Sequence, residues 1–409
     1  TSSALLEVAS TESVVVGASL RTTIPDLKNI VHFYTPDGSK RGRRRWLETL
    51  MTTFNNVSEH PQSHIWTLLS ARFGSRLPAR MAELLSTTKL HAFDRQDTTY
   101  TSFDGLKIGI TVFVPKNVDK GSTLPVLVRW HGGALINGGR DYEPWFPRWI
   151  IELTALHKAI IVCPDYRLLP ESPGLDILSD LHTFYTWLHT SLSSFLTSSF
   201  SDSHPTPDLS NILITGESAG GYMAIQSSLL GETKGIKAVI AHYPMIDLQD
   251  AWYSIPSHKE IFNQPPPSYP PGWLDAQLKV ARTAAPVTSR IPKEEDLDLF
   301  VALLQQGRYT EILGADSSLF PLENLKKVKE EGKPLMPMWI FHGDEDSIIP
   351  IQGTWKFMEE VKSVFGENGA RKVESRVVVG KEHGFDNDEV GLEVDWVIEA
   401  QEWLKEYWP

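Results

Sequence analysis

The chain has 409 residues, of which 41% are hydrophobic, and a formal net charge of −12 at pH 7. That length and hydrophobic content suffice for a large buried core, and the acidic balance argues against nucleic acid as a partner. A single cysteine, Cys163, excludes an intrachain disulfide, and no apolar run reaches the ~18 residues of a membrane-spanning helix.

The first stretch, residues 1–95, shows helical periodicity and precedes the first predicted strands. Its beginning lacks the charged and apolar regions of a signal peptide, so we expect a cytoplasmic protein; whether a longer leader was removed stays open. The basic cluster at 40–45 is interpreted as a solvated helix start. His60 and His64 have the i, i+4 spacing of a zinc site, but Pro61 and the lack of a third ligand in the sequence argue against a metal.

Strands and helices alternate over the rest of the chain. A hairpin is predicted around Asp104-Gly105. From Leu124 onward, β-branched apolar runs alternate with helical patterns, which indicates an α/β fold with a mostly parallel central sheet flanked by helices. The Ser-rich stretch 191–210 is predicted to be a surface loop. The predicted intervening helices cover 145–157, 175–189, 352–365 and 390–408.

A glycine-rich turn follows the predicted strand 125–130. It begins with His131, Gly132 and Gly133, whose backbone N–H groups can approach a substrate carbonyl oxygen and stabilise the charge that develops there. His131 could itself be catalytic, but we favour a role in bracing the turn through a hydrogen bond. No glycine pair in the chain has the spacing of a phosphate-binding loop, so no nucleotide cofactor is predicted.

Residues 216–220 read Gly-Glu-Ser-Ala-Gly, the pattern G-x-S-x-G. A β-branched run at 211–215 precedes them and helix-forming residues follow at 219–230, which is the strand–turn–helix context of a nucleophile elbow. Such a turn lifts Ser218 above the edge of the sheet, and the amide of Ala219 becomes another oxyanion donor. By pattern alone, a chance match in a strand-to-helix loop is an equal alternative.

A long insertion separates the strand ending near Tyr243 from the strand starting near Met336. It has about ninety residues, far more than an ordinary connection, and we assign 249–334 to a lid over the serine. Its aromatic residues either wall a pocket for an apolar acyl or alcohol group or only rigidify the lid. The candidate substrate-contacting residues are Ala134 of the glycine-rich turn and Trp252, Tyr253, Phe262, Tyr269 and Trp273 of the insertion.

A serine hydroxyl reacts only when a base takes its proton and an acid orients the base. After a nucleophile elbow these partners follow in the order acid, then histidine. We favour Asp346 as the acid because a hydrophobic stretch and a proline follow it, with Asp344 and Glu345 as the alternatives. His383 lies in a glycine-flanked loop after the last predicted strand and is the best general base among 13 histidines.

Together these blocks resemble the α/β-hydrolases of the hormone-sensitive-lipase type. Two positions depart from that family, because Ala134 replaces a third glycine and Glu217 replaces an aspartate. Glutamate at the second position also occurs in the longer cholinesterase-type carboxylesterases, which rank second. The matching blocks, in order, are His131-Gly-Gly-Ala134, Asp-Tyr-Arg-Leu-Leu-Pro-Glu at 165–171, Gly216-Glu-Ser-Ala-Gly220 and the Asp346/His383 pair.

The resemblance implies an α/β-hydrolase core at 96–248 and 335–409, covered by a cap from 1–95 and by the lid insertion. It implies a serine esterase without a cofactor, in which Ser218, His383 and Asp346 cleave a carboxylic ester of a small or medium hydrophobic molecule through an acyl-enzyme. The alternatives are acyl transfer, a lyase or a cyclisation step in fungal secondary metabolism, a peptidase, and a silent small-molecule receptor. The oligomeric state stays open.

Overall fold

A computed structural model of the chain describes residues 88–409, apart from 104, 120, 201–204, 232–233, 263, 266 and 293. Most of the predicted helical cap, the basic cluster at 40–45 and the His60–His64 pair lie outside the described residues. The expectations for these parts of the chain stay predictions.

One sheet runs through the described part of the chain. The second strand of the chain is antiparallel to both of its neighbours, and all the other neighbouring strands are parallel. The mostly parallel sheet predicted from the alternating pattern is therefore confirmed. The strands are β1 (Phe93–Phe103), β2 (Leu106–Pro115), β3 (Thr123–Trp130), β4 (Ile160–Pro164), β5 (Thr206–Glu217), β6 (Ile236–His242), β7 (Met338–Gly343) and β8 (Val373–Val378). In the sheet they lie in the order β1-β2-β4-β3-β5-β6-β7-β8.

Helices cover both faces of this sheet. None of those in the described residues is long and apolar enough to cross a membrane. They are α1 (Arg148–Leu156), α2 (Gly174–Ser199), α3 (Ala219–Leu230), α4 (Ala251–Ser254), α5 (Trp273–Ala281), α6 (Glu294–Gln305), α7 (Tyr309–Leu313), α8 (Pro321–Glu330), α9 (Gln352–Ala370) and α10 (Asp395–Leu404).

The two core layers follow from the alternation of side chains along each strand. Val126 and Val128 of β3 point to the layer that contains α2, α3, α8 and α9. Leu127, between them, points to the opposite layer, where α1 and α10 pack. All three side chains are fully buried, and burial of such a side chain contributes about 1.5–3 kcal/mol. This central parallel strand therefore has apolar side chains facing both layers.

Helix α2 corrects the prediction of a surface loop at 191–210, because it continues to Ser199 before β5 begins at Thr206. Leu188, Leu192 and Leu196 recur at every fourth position and are buried, which is the helical spacing. Hydroxyls of this stretch donate back to carbonyl oxygens about one turn earlier, as that of Thr197 does to the Ser193 carbonyl at 2.9 Å. The serine and threonine side chains are thereby satisfied within a helix.

The insertion after β6 supplies the helices α4 to α8. Its last helix packs on the core, since Asn324 of α8 donates to the Gln226 side chain of α3 at 2.8 Å. An extended segment before α6 forms an isolated bridge between Arg290 and Gly138, and the Arg290 side chain binds Glu171 at 2.7 Å. The insertion is thereby tied directly to the glycine-rich turn after β3.

Candidate active site

Ser218 lies between the end of β5 and the start of α3. Its backbone has φ 57° and ψ −116°, a left-handed conformation that is strained for a residue with a side chain. The flanking glycines permit this turn, because a methyl group on Gly216 or Gly220 would lie 2.1 Å from a backbone oxygen. The Ser218 amide donates to the carbonyl of His242 at 2.8 Å, which fixes the turn against β6. This is the geometry of a nucleophile elbow.

The loops after β7 and β8 bring Asp346 and His383 together. His383 Nδ1 lies 2.7 Å from Asp346 Oδ2, and the other carboxylate oxygen accepts from the amides of Ile348 at 3.0 Å and Ile349 at 2.8 Å. Burial alone would raise the pKa of Asp346, but the attraction of His383 and the hydrogen bonds from His342 and His383 hold that pKa well below its usual range. The carboxylate is therefore ionised and orients the imidazole.

The two alternative acids lie elsewhere. Asp344 and Glu345 are exposed, and the Asp344 carboxylate accepts from the amide of Gly380 at 2.6 Å. The structure records no contact between either carboxylate and His383 among the described residues. Of the acids considered, Asp346 is the one that the fold joins to His383.

The glycine-rich turn lies against the elbow. A methyl group on Gly132 would sit 2.8 Å from the Glu217 carbonyl oxygen and 3.5 Å from Ser218 Cβ. Gly133 has φ 109°, Ala134 φ 56° and Leu135 φ 59°, so three successive residues adopt left-handed backbone here. The insertion after β6 holds this turn in place, because the Tyr309 hydroxyl donates to the Ala134 carbonyl at 2.8 Å.

His131 braces the same turn. Its Nδ1 lies 2.8 Å from the Gly132 carbonyl oxygen, and its ring stacks on Tyr166 at a centroid distance of 4.3 Å. Burial lowers the pKa of His131 to about 3, so the ring is neutral and donates to the carbonyl. Tyr166 donates in turn to the His131 carbonyl at 2.8 Å. His131 is absent from the lining of the pocket, in agreement with a supporting role.

A cavity of about 420 Å³ opens above Ser218. Of the residues predicted from sequence, it brings together Ser218, His383, Gly132, Gly133, Ala134 and Phe262. Ala219 follows Ser218 as the first residue of α3 and is buried, so its amide belongs to the unpaired first turn of that helix. The remaining lining residues are Asn137, Trp145, Glu217, Tyr243, Pro292, Leu297, Phe300, Ile348, Gly384 and Asn387.

Four aromatic residues predicted to contact substrate lie outside this lining. The Trp252 indole donates to the Ile348 carbonyl at 3.0 Å, and buried Tyr253 packs on Tyr309 at 5.5 Å. Tyr269 and Trp273 stack on each other at 4.7 Å. These rings pack within the insertion and against the loop after β7, which corresponds to the lid-rigidifying alternative. Phe262 alone of the predicted lid aromatics lines the cavity.

Several residues that line the cavity were not predicted from the sequence, because they belong to no motif. Asn137 is 6% exposed, lines the cavity, and makes no side-chain hydrogen bond within the described residues. Leu297 and Phe300 belong to α6 of the insertion. The spacing of these apolar residues predicts one face of a helix, but it does not predict that this face lines the cavity above Ser218.

A buried ion pair lies directly behind the elbow. Arg129 of β3 binds Glu217 through two hydrogen bonds, at 2.8 and 3.1 Å, and the side chains are 1% and 4% exposed. The Arg129 guanidinium also lies over the Phe146 ring at 4.2 Å. Glu217, which stands where the resembled family has an aspartate, is therefore paired with an arginine on the neighbouring strand.

A family model described as the alpha/beta hydrolase fold matches residues 127–301. The chain is 34% identical over 327 residues to a protein of Phoma sp. named "Probable carboxylesterase M8", covering 78% of this chain and 98% of that protein. It is 24% identical over 384 residues to the non-reducing polyketide synthase ausA of Penicillium brasilianum, covering 83% of this chain and 15% of that protein.

A crystal structure of a protein of unknown function from Staphylococcus aureus subsp. aureus Mu50 has a similar fold. The TM-score is 0.52 at 19% identity, covering 77% of this chain and 99% of that chain. This similarity concerns the fold alone.

Proposed function

The chain belongs to the α/β-hydrolase family, in its hormone-sensitive-lipase-like branch, and is a carboxylic ester hydrolase; we propose that Ser218, His383 and Asp346 are its catalytic residues. The observation that carries this proposal is that Ser218, whose backbone is strained, and His383 lie together in the wall of one cavity. Ser218 and His383 line one cavity, and Asp346 lies behind His383 at 2.7 Å. Strained backbone at a cavity wall is typical of a functional residue.

The reaction then follows from these groups. His383 takes the proton of Ser218 as the serine oxygen attacks the ester carbonyl carbon. The amides of Gly132, Gly133 and Ala219 donate to the oxyanion, and each such donor contributes about 3–4 kcal/mol to transition-state stabilisation. His383 gives its proton to the leaving alcohol, and water activated by the same histidine releases the acid and frees Ser218.

The cavity indicates the size and character of the substrate. A volume of about 420 Å³ is at the small end of the range for small-molecule sites. Phe262, Pro292, Leu297 and Phe300 contribute apolar surface from the insertion, which supports the assignment of 249–334 as a lid. We therefore propose an ester of a small or medium hydrophobic molecule.

The test is hydrolysis of p-nitrophenyl esters of increasing acyl chain length. The proposal expects turnover that rises with apolar chain length until the acyl group fills the cavity and then falls. Ser218→Ala should lower kcat by on the order of 10³-fold or more, while retaining the fold by circular dichroism. Turnover that is equal in Ser218→Ala and in the wild type would disprove the assignment of Ser218.

A second candidate is acyl transfer in secondary metabolism. The similarity to a segment of a polyketide synthase favours it, and the same triad can pass its acyl group to an alcohol or amine instead of water. Product analysis with and without an added alcohol distinguishes the two. A new ester that forms in preference to the free acid would favour acyl transfer, and free acid alone would favour hydrolysis.

A further inference from the structure

We propose that Asp386 is a positioning residue for His383, acting through a buried network with His242 and Tyr243. The inference rests on the proposed function, since it takes His383 as the base. Asp386 and His242 are fully buried and do not line the cavity, whereas Tyr243 is buried but contributes to its wall. We call these three residues the Asp386 network.

The Asp386 carboxylate accepts hydrogen bonds from three side chains, of which two are consecutive residues at the end of β6 and the third lies on α1. Its Oδ1 accepts from the Tyr243 hydroxyl at 2.6 Å. Its Oδ2 accepts from His242 Nδ1 at 2.7 Å and from the Trp149 indole at 3.0 Å. Burial would raise the pKa of Asp386, but His242 and the hydrogen bonds from all three donors hold that pKa below its usual range. The carboxylate is thus a charged, immobile centre, because a buried charge persists only with such partners.

The same network reaches the nucleophile. The carbonyl of His242 accepts from the Ser218 amide at 2.8 Å. The other ring nitrogen of His242 lies 2.8 Å from the hydroxyl of Thr215, on the strand that ends in the elbow. His242 is therefore joined to the Ser218 turn by its backbone and to Asp386 by its side chain.

Tyr243 joins the network to the base. Its ring lies 4.6 Å from the His383 ring, edge to face at 62°. Its φ of 35° is unusual for a residue with a side chain, and such a backbone persists only when several contacts determine it. The hydroxyl bond to Asp386 is one of those contacts, so Asp386 fixes the ring against which His383 rests.

The His383 loop is held on both sides. On the N-terminal side, the Glu382 carboxylate accepts from the amides of Ser347 at 2.7 Å and His383 at 2.8 Å. On the C-terminal side, Gly384 has φ 75° and the first fully buried side chain is Asp386. The loop that carries the base is thereby tied to the Asp346 loop through Glu382 at one end and to the end of β6 through Asp386 at the other.

The test compares two small changes with a matched control. Tyr243→Phe removes one oxygen atom and keeps the ring, and Asp386→Asn keeps the shape but removes the charge. Both should lower kcat about 10- to 100-fold at unchanged KM, because misplacing a catalytic group by ~1 Å can cost about 10²-fold. The rate of Ser218 labelling by a fluorophosphonate should fall by the same factor, since labelling needs the same base.

The control is Tyr100→Phe, which removes the hydroxyl of another buried tyrosine. That hydroxyl donates to the Asp165 carbonyl at 2.9 Å, away from the cavity lining. It should lower the melting temperature with kcat and labelling unchanged. If Tyr243→Phe behaves in the same way, the network is only structural and the inference is overturned.

If Asp386→Asn does not fold, Tyr243→Phe decides alone. A wild-type protein that is not labelled at Ser218 would instead overturn the proposed function. The failures of the two proposals are therefore distinguishable.

Discussion

Replacing Asp346 by asparagine tests which acid orients His383. One carboxylate oxygen accepts from the amides of Ile348 and Ile349, so the oxygen of asparagine would keep that place and its NH₂ group would face His383. The imidazole would then have to accept at Nδ1 and carry its proton at Nε2. If the asparagine amide were flipped, its NH₂ group would face the two backbone N–H donors of Ile348 and Ile349, and no hydrogen bond could form there.

The size of the expected loss in kcat follows from this tautomer of His383. A histidine with its proton on Nε2 cannot take the proton of Ser218, and the corresponding change in serine proteases lowers kcat about 10⁴-fold. That factor equals about 5 kcal/mol of transition-state stabilisation. The assay is kcat and KM on a p-nitrophenyl ester, with the fold checked by circular dichroism.

The control is Asp344→Asn. Asp344 is exposed and bonds only the Gly380 amide among the described residues, and asparagine can still accept that bond. Exposed substitutions change the free energy of unfolding by about 0.5 kcal/mol or less, and Asp344 does not contact His383, so stability and kcat should both stay close to those of the wild type. An inactive Asp344→Asn together with an active Asp346→Asn would refute the reasoning.

Three further predictions concern the surroundings of the serine. Gly133→Ala should lower kcat about 10²- to 10³-fold, since a methyl group there would lie 2.2 Å from a backbone oxygen; wild-type kcat would contradict it. Glu217→Gln should lower the free energy of unfolding in urea by about 3–5 kcal/mol because Arg129 loses its buried partner, whereas exposed Glu402→Gln should cost less than about 1 kcal/mol; equal effects would be contrary to this account. Because burial lowers the pKa of His131 from 6.5 to about 3, the unfolded chain binds the extra proton first. The free energy of unfolding should therefore decrease as the pH is lowered from 6.5 towards 3, by up to about 1.4 kcal/mol per pH unit. His131→Asn should reduce that slope.

The strand, elbow and helix around Ser218 were predictable because local signals agree with the tertiary fold. The β-branched run before Ser218 forms the end of β5, and helix α3 covers the predicted 219–230. Positions in loops after predicted strands also placed Asp346 and His383 at one edge of the sheet. That these three residues are catalytic stays a proposal that the experiments above test.

Contacts across long sequence separations were not predictable in the same way. His242 and Asp386 are separated by 144 positions, and neither lies in a motif, so only the fold brings them together. The extension of α2 to Ser199 had a signal in Leu192 and Leu196, but the serine-rich composition favoured a loop. The expectation of a cap from 1–95 stays a prediction, since 1–87 lie outside the described residues.

The most direct test of the central claim is intact-mass spectrometry after treatment with a fluorophosphonate, on the wild-type protein and on Ser218→Ala. We expect a single adduct on the wild-type protein that maps to Ser218 and is absent from the variant, because only a serine with a working base reacts. A folded wild-type protein that gains no adduct, or an adduct that persists in Ser218→Ala, would contradict it.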